Sequence, residues 1–174
     1  EGALAYAPVI DWLRSPALQA VLPALDSAWQ VELVRLLPEF SAVVPAEPSQ
    51  QWSERLRRLH LHEALVRVVL QARPPLLLVI DDLQWCDQET IEWLHFLLRS
   101  ASQAPLLLLG AARPEELGEQ HPLHPFLVDL RSAGTLTEIE LAPLTAEECA
   151  QLAAQISDRR LPLETLQGIF RTSE

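Results

Sequence analysis

The feature that most constrains this chain is the run Leu76-Leu77-Leu78-Val79-Ile80, apolar throughout and closed at once by the adjacent acids Asp81 and Asp82. A strand that alternates apolar and polar residues has one wet face. An unbroken run of strand length predicts a strand buried on both faces of a parallel sheet. A second such run, Leu106-Leu107-Leu108-Leu109, follows Pro105. Between the two, residues 88–99 carry a helical stripe of Ile91, Leu94 and Leu98, with Asp87 placed to cap it. A third strand is expected over 135–141. It precedes Thr145-Ala146-Glu147-Glu148, a capping box that opens a helix running to Ile156, with Leu144 and Cys149 as its hydrophobic staple. This rhythm predicts an α/β, doubly wound, P-loop NTPase-like parallel sheet flanked by helices.

Upstream, residues 6–44 alternate short helical patterns with prolines, Pro16 following the capping Ser15 and Pro38 stopping the stretch 29–37. This predicts a small helical layer, followed by a loop over 44–51. The stretch 52–72 predicts a helix with two apolar stripes, one of Trp52, Leu56, Leu59, Val66 and Leu70, the other of Leu61, Leu65, Val68 and Val69. Pro74-Pro75 ends it. A single partial domain over 1–174 is the expectation, with 6–44 as its helical layer and 52–174 as the part that carries the chemistry.

Composition excludes several classes. Net charge is −11, which repels a phosphate backbone and argues against direct nucleic-acid binding by this segment. No apolar run approaches the roughly 20 residues of a membrane helix. Cys86 and Cys149 form no C-x-x-C pair or disulfide framework, so a reducing, cytoplasmic setting is expected. All 13 basic residues are Arg, and with no Lys any Lys-dependent chemistry is excluded. His60, His62, His121 and His124 have no spacing that identifies a zinc site and are expected to be solvated. The Trp residues are expected in packing, Trp85 beneath the acidic site.

In α/β sheets ligands collect beyond the carboxyl ends of the strands, where Asp81 and Asp82 stand. Adjacent carboxylates repel, and a cation or a well-placed donor relieves that cost. One reading has Asp81 holding Mg²⁺ through water and Asp82 orienting or deprotonating an attacking water. The other is an Asp-rich turn that caps the next helix, the favoured reading for Asp87.

The segment Asp81-Asp82-Leu83-Gln84-Trp85-Cys86-Asp87 resembles the Walker B segment of STAND-type AAA ATPases, the origin-recognition-like AAA domain of bacterial transcriptional activators and large signalling ATPases. Residues 106–117, LLLLGAARPEEL, resemble the strand and Arg-Pro-Glu-Glu that follow in that family. Ile139 to Thr145 resemble its L-x-P-L-[ST] entry into a helix, and Tyr6-Ala7-Pro8 with Trp12-Leu13 its segment after the second strand. The resemblance implies ATP and Mg²⁺ as cofactors, Asp81 as metal-binding, Asp82 as catalytic and Arg113 as a nucleotide sensor. It also implies a regulatory module partnered by other domains of its polypeptide or by self-association.

Two departures accompany it. Asp82 stands where many AAA ATPases have Glu, and no G-x-x-x-x-G-K-[ST] loop occurs, the five glycines standing alone. A fragment lacking the first strand and the Walker A loop is therefore expected, inactive by itself. The runs 76–80 and 106–109 should pair in parallel while 135–141 makes no ladder with 106–109 and stands apart from it by about two strand spacings. The alternative is a non-catalytic α/β interaction module that has lost nucleotide binding.

Overall fold

The computed structural model describes residues 5–42 and 53–157, with positions 162, 165, 168 and 170 beyond them. It forms two compact units, Glu1–Thr135 and Leu136–Glu174.

In the first unit, α1 (Ala7–Arg14), α2 (Pro16–Gln19) and α3 (Ser27–Leu33) make the expected helical layer. Pro16 occupies the first turn of α2, where its missing N–H costs no hydrogen bond. The long helix α4 (Glu54–Gln71) starts at Ser53, whose side chain accepts from the Leu56 N–H. Leu61, Ala64, Leu65, Val68 and Val69 are buried at helical spacing, and α4 packs between α3 and α5 (Gln88–Ser100). Of the other expected stripe Val66 alone is buried among the described residues. Leu56, Leu59 and Leu70 are about half exposed among the described residues, and Trp52 lies outside them. On α3 and α4, Trp29 stacks on His60 at 5.9 Å and takes the Arg67 guanidinium over its ring at 4.4 Å.

After the cis peptide Pro74-Pro75, β1 (Leu76–Ile80) pairs in parallel with β2 (Leu106–Gly110), Leu76 opposite Leu106 and Ile80 opposite Gly110. Direct parallel pairing is as expected; burial is not. Leu78 and Ile80 turn inward, while Leu77, Val79, Leu107 and Leu109 form an exposed apolar face, Leu107 at 63%. Burial on one face is therefore complete only at Leu78 and Ile80 of β1, while on β2 Leu106 and Leu108 are half-buried. The bonds Leu76 N–H to Pro105 O and Ala111 N–H to Ile80 O, 3.0 and 2.9 Å, bracket the ladder. They leave the backbone groups of Leu108 and Gly110 on the outer edge of β2. The outer edge of β1 is partly covered: the Trp12 indole N–H donates to Val79 O at 3.0 Å.

Helix α5 is amphipathic as expected, but Trp93 and Leu97 are buried beside Ile91 and Leu94, whereas Leu98 is half-buried. Trp93 meets Trp12 of α1 at 6.2 Å. Helix α6 (Leu123–Ser132) packs on α5 through Phe126 and His95. It ends in a Schellman motif: Gly134, at φ 67°, donates to Arg131 O, and Thr135 donates to Leu130 O.

In the second unit α7 (Ala146–Ser157) opens with the expected capping box. Thr145 N–H donates to Glu148 Oε2 at 2.8 Å, and Glu148 N–H donates to Thr145 Oγ1 at 3.3 Å. The strand expected over 135–141 is absent. Residues 136–145 carry no regular structure, and Ile139 and Leu141 are 79% and 86% exposed. A strand exists only through its ladder, and this unit contains no other strand among its described residues to supply one.

Candidate acidic site at the carboxyl edge of the sheet

Both strands end at the same edge, β1 running into Asp81-Asp82 and β2 into Ala111-Ala112-Arg113. The way the chain leaves β1 defines the site. Ile80 O accepts from Ala111 N–H at 2.9 Å and Leu83 N–H donates to Ala111 O at 2.8 Å, so the residues on either side of Asp81-Asp82 both bond to Ala111, just after β2. Asp81 and Asp82 between them are looped out of the ladder, much as a bulge is. The loop needs one left-handed residue, and Asp82 supplies it at φ 57°, ψ 51°. For most residues this costs about 1–2 kcal/mol; Asp tolerates it because its short carboxylate bonds locally.

Leu83 then folds back over β2. A Cβ on Gly110 would collide with Leu83 Cδ1, so glycine is what lets the loop lie so close. That requirement has no visible signature in the sequence.

Asp81 is exposed, and its Oδ1 accepts from Asp82 N–H at 3.1 Å. Asp82 is less exposed and has two polar neighbours. Gln84 Nε2 donates to its Oδ1 at 2.9 Å, and Arg113 Nε lies 3.9 Å from the same oxygen. Arg113 Nη1 is held at 3.1 Å by Glu116 Oε1, on the turn Pro114–Glu116. The structure thus brings Asp82 and Arg113 together at one edge, with Asp81 on the solvent side.

Asp87 stands apart from this group as the cap of α5. Its Oδ1 accepts from Thr90 N–H at 2.8 Å, while its Oδ2 accepts from the Thr90 hydroxyl at 2.6 Å and from Tyr6 N–H at 3.1 Å. Cys86 lies beside Asp87, and burial, with that carboxylate nearby, pushes its thiol up to about 11.

Several expectations about individual side chains are corrected. Trp85 does not lie beneath the acids but is 62% exposed. His62 is buried rather than solvated, its Nε2 3.0 Å from the Tyr6 hydroxyl. Burial lowers the His62 imidazole to about 4 and raises the Tyr6 phenol to about 12, so the phenol donates to an unprotonated ring. His121 and His124 are also bonded, through Nε2 to Gln84 O at 2.9 Å and to Gly118 O at 3.1 Å. Because Leu123 N–H donates to His121 Nδ1, that ring carries its proton on Nε2. Among the described residues no three His, Cys, Asp or Glu side chains gather as a metal cluster. Magnesium does not require one, since it is commonly held by one or two carboxylates together with substrate phosphates, and the exposed oxygens of Asp81 suit it chemically.

The residues that sequence reasoning missed are Gln84, Glu116 and Gly110. A single Gln in a loop has no periodicity or motif of its own, and only the folded geometry shows its contacts.

A family model for the AAA ATPase domain matches residues 1–109, more than half of the chain, and the chain belongs to that family of nucleotide-binding and nucleotide-hydrolysing modules. The match includes Asp81 and Asp82 and stops before Arg113. No curated protein and no solved structure matches it. No helix of the described residues is long and apolar enough to cross a membrane.

Proposed function

We propose that the acidic edge of this sheet is the hydrolytic edge of a STAND-type AAA module that binds and hydrolyses ATP in a multidomain signalling or transcriptional regulator. The observation that carries the reading is the looped-out Asp81-Asp82 pair with Arg113 3.9 Å from Asp82 across parallel strands. Asp81, exposed and with oxygen donors, is the residue that would hold Mg²⁺; the ion, when bound, neutralises charge on phosphate oxygens. Asp82 orients an attacking water and accepts its proton. Arg113 reads the terminal phosphate, exchanging its bond to Glu116 for one to the nucleotide.

The phosphate-binding loop is not encoded within these residues, which hold no Lys and no clustered glycines. We place it on a further strand pairing with the outer edge of β2. The outward backbone groups of Leu108 and Gly110 support that position, since donors and acceptors on a strand edge invite pairing.

The test is Mg²⁺-dependent ATP hydrolysis by the full-length protein and by its Asp81→Asn variant. Hydrolysis that requires Mg²⁺, with a metal requirement raised by about tenfold or more in the variant, is expected. A full-length protein that neither binds nor hydrolyses ATP would overturn the reading in favour of a non-catalytic interaction module.

A further inference from the structure

Gln84 is a polar residue in the one place at the site where an apolar side chain would be the default. It is 5% exposed, and its side chain is fully committed. The two Nε2 hydrogens reach two different carboxylates, Asp82 Oδ1 at 2.9 Å and Glu116 Oε2 at 3.3 Å. Its Oε1 accepts the backbone N–H of Arg113 at 3.2 Å, and its own carbonyl oxygen takes the His121 Nε2–H at 2.9 Å. One carboxamide therefore joins the loop after β1 to the segment after β2 and meets both acids that compete for the Arg113 guanidinium.

From these contacts we infer that Gln84 is a positioning residue that keeps Asp82 and Arg113 apart and separately usable. This rests on the roles proposed above for those two residues. Asp82 Oδ1 has two candidate donors, the Gln84 amide at 2.9 Å and Arg113 Nε at 3.9 Å. While the neutral amide holds Oδ1 at 2.9 Å, that oxygen is engaged by Gln84 and not closely by the cation. The guanidinium stays on Glu116, which the same amide also holds in place. Without the amide, Oδ1 lacks its close donor, and the nearest replacement is Arg113. Closing that gap to hydrogen-bond distance makes an Arg–carboxylate pair, which occupies the carboxylate that is to orient water and ties up the cation that is to meet the phosphate. The sequence positions of the three residues are fixed by the fold: Gln84 lies two residues after Asp82, and Arg113 three residues after the end of β2.

The experiment uses the full-length protein with Gln84→Met, which keeps length and volume but has no donors, alone and combined with Asp82→Asn. Steady-state ATP turnover, ATP affinity from fluorescence titration and the melting temperature are measured for each. Turnover of the single variant is expected to fall by about tenfold to a hundredfold while ATP affinity stays within about threefold. In the Asp82→Asn background the same change should alter turnover by less than about twofold, because the group through which Gln84 acts is already disabled. If Gln84→Met does not fold, Gln84→Leu, shorter, uncharged and likewise without the amide donors, is read by the same criteria.

Turnover within about twofold of wild type for the folded single variant, where Asp82→Asn is itself impaired, overturns this inference and leaves the site reading intact. So do losses that multiply in the double variant, since they would place Gln84's effect elsewhere. A wild-type protein without ATP turnover, or one indifferent to Asp82→Asn, overturns the site reading and this inference with it.

Discussion

Replacing Asp87 with Ala tests the physical frame that holds the acidic loop. The carboxylate caps α5 through Thr90 N–H and also satisfies the Thr90 hydroxyl and Tyr6 N–H. Thr90 is 0% exposed and Tyr6 6%, so neither group gains water when the acceptor disappears. Losing an N-cap costs about 1 kcal/mol, and each donor stranded in the interior costs about 1 kcal/mol or more, which gives about 2–4 kcal/mol in total. Tyr6 adds a further consideration, because a bulky residue at φ 61° persists only where its surroundings hold it, and the bond to Asp87 is one of those holds.

Asp87→Asn should cost roughly half as much. Its remaining oxygen still caps the helix and the Thr90 hydroxyl can rotate to accept, but its amide faces the Tyr6 N–H donor to donor. Urea denaturation followed by Trp fluorescence gives both values as shifts of midpoint at constant slope. A loss under about 0.5 kcal/mol for Asp87→Ala, or equal losses for the two variants, would show that Asp87 does not join α1 to α5 as described.

Arg113→Ala should weaken binding of ATP more than that of ADP, by about tenfold in the ratio, because only the terminal phosphate draws the guanidinium from Glu116; parallel titrations that show equal losses would remove the sensor role. His62 makes stability depend on pH. Its folded pKa of about 4 lies below its unfolded 6.5, so the unfolded chain binds more protons between those values. The stability His62 contributes is complete above pH 6.5 and is lost as pH falls towards 4, by about 1–2 kcal/mol after solvent screening is allowed for. Denaturation midpoints for wild type and His62→Gln over that range check it, the variant losing less stability on acidification; parallel curves would contradict the assignment.

What the sequence revealed and what it hid divide along physical lines. The runs at 76–80 and 106–109 were readable as strands of a parallel sheet, because a proline precedes each and nothing within them alternates; that they are neighbours came from the strand order the resemblance implies. Their burial was not readable: a sequence reports which faces can be covered, and here Leu77, Val79, Leu107 and Leu109 are uncovered. Local capping transferred well, since Asp87 and Thr145 bond within three residues of themselves. The segment 135–141 failed for the complementary reason. Its pattern suits a strand, but pairing is a property of two segments and a one-dimensional pattern supplies only one. At the site, Asp81, Asp82 and Arg113 were found through motif resemblance, whereas Gln84, Glu116 and Gly110 act through contacts to residues about thirty positions away.

The most direct test of the central claim is the effect of Asp82→Asn in the full-length protein on two quantities measured together, ATP affinity and the single-turnover rate of hydrolysis. If Asp82 activates water at the edge of β1, affinity should stay within about threefold of wild type while the rate falls by about a hundredfold or more. Equal rates in the two proteins would contradict the account.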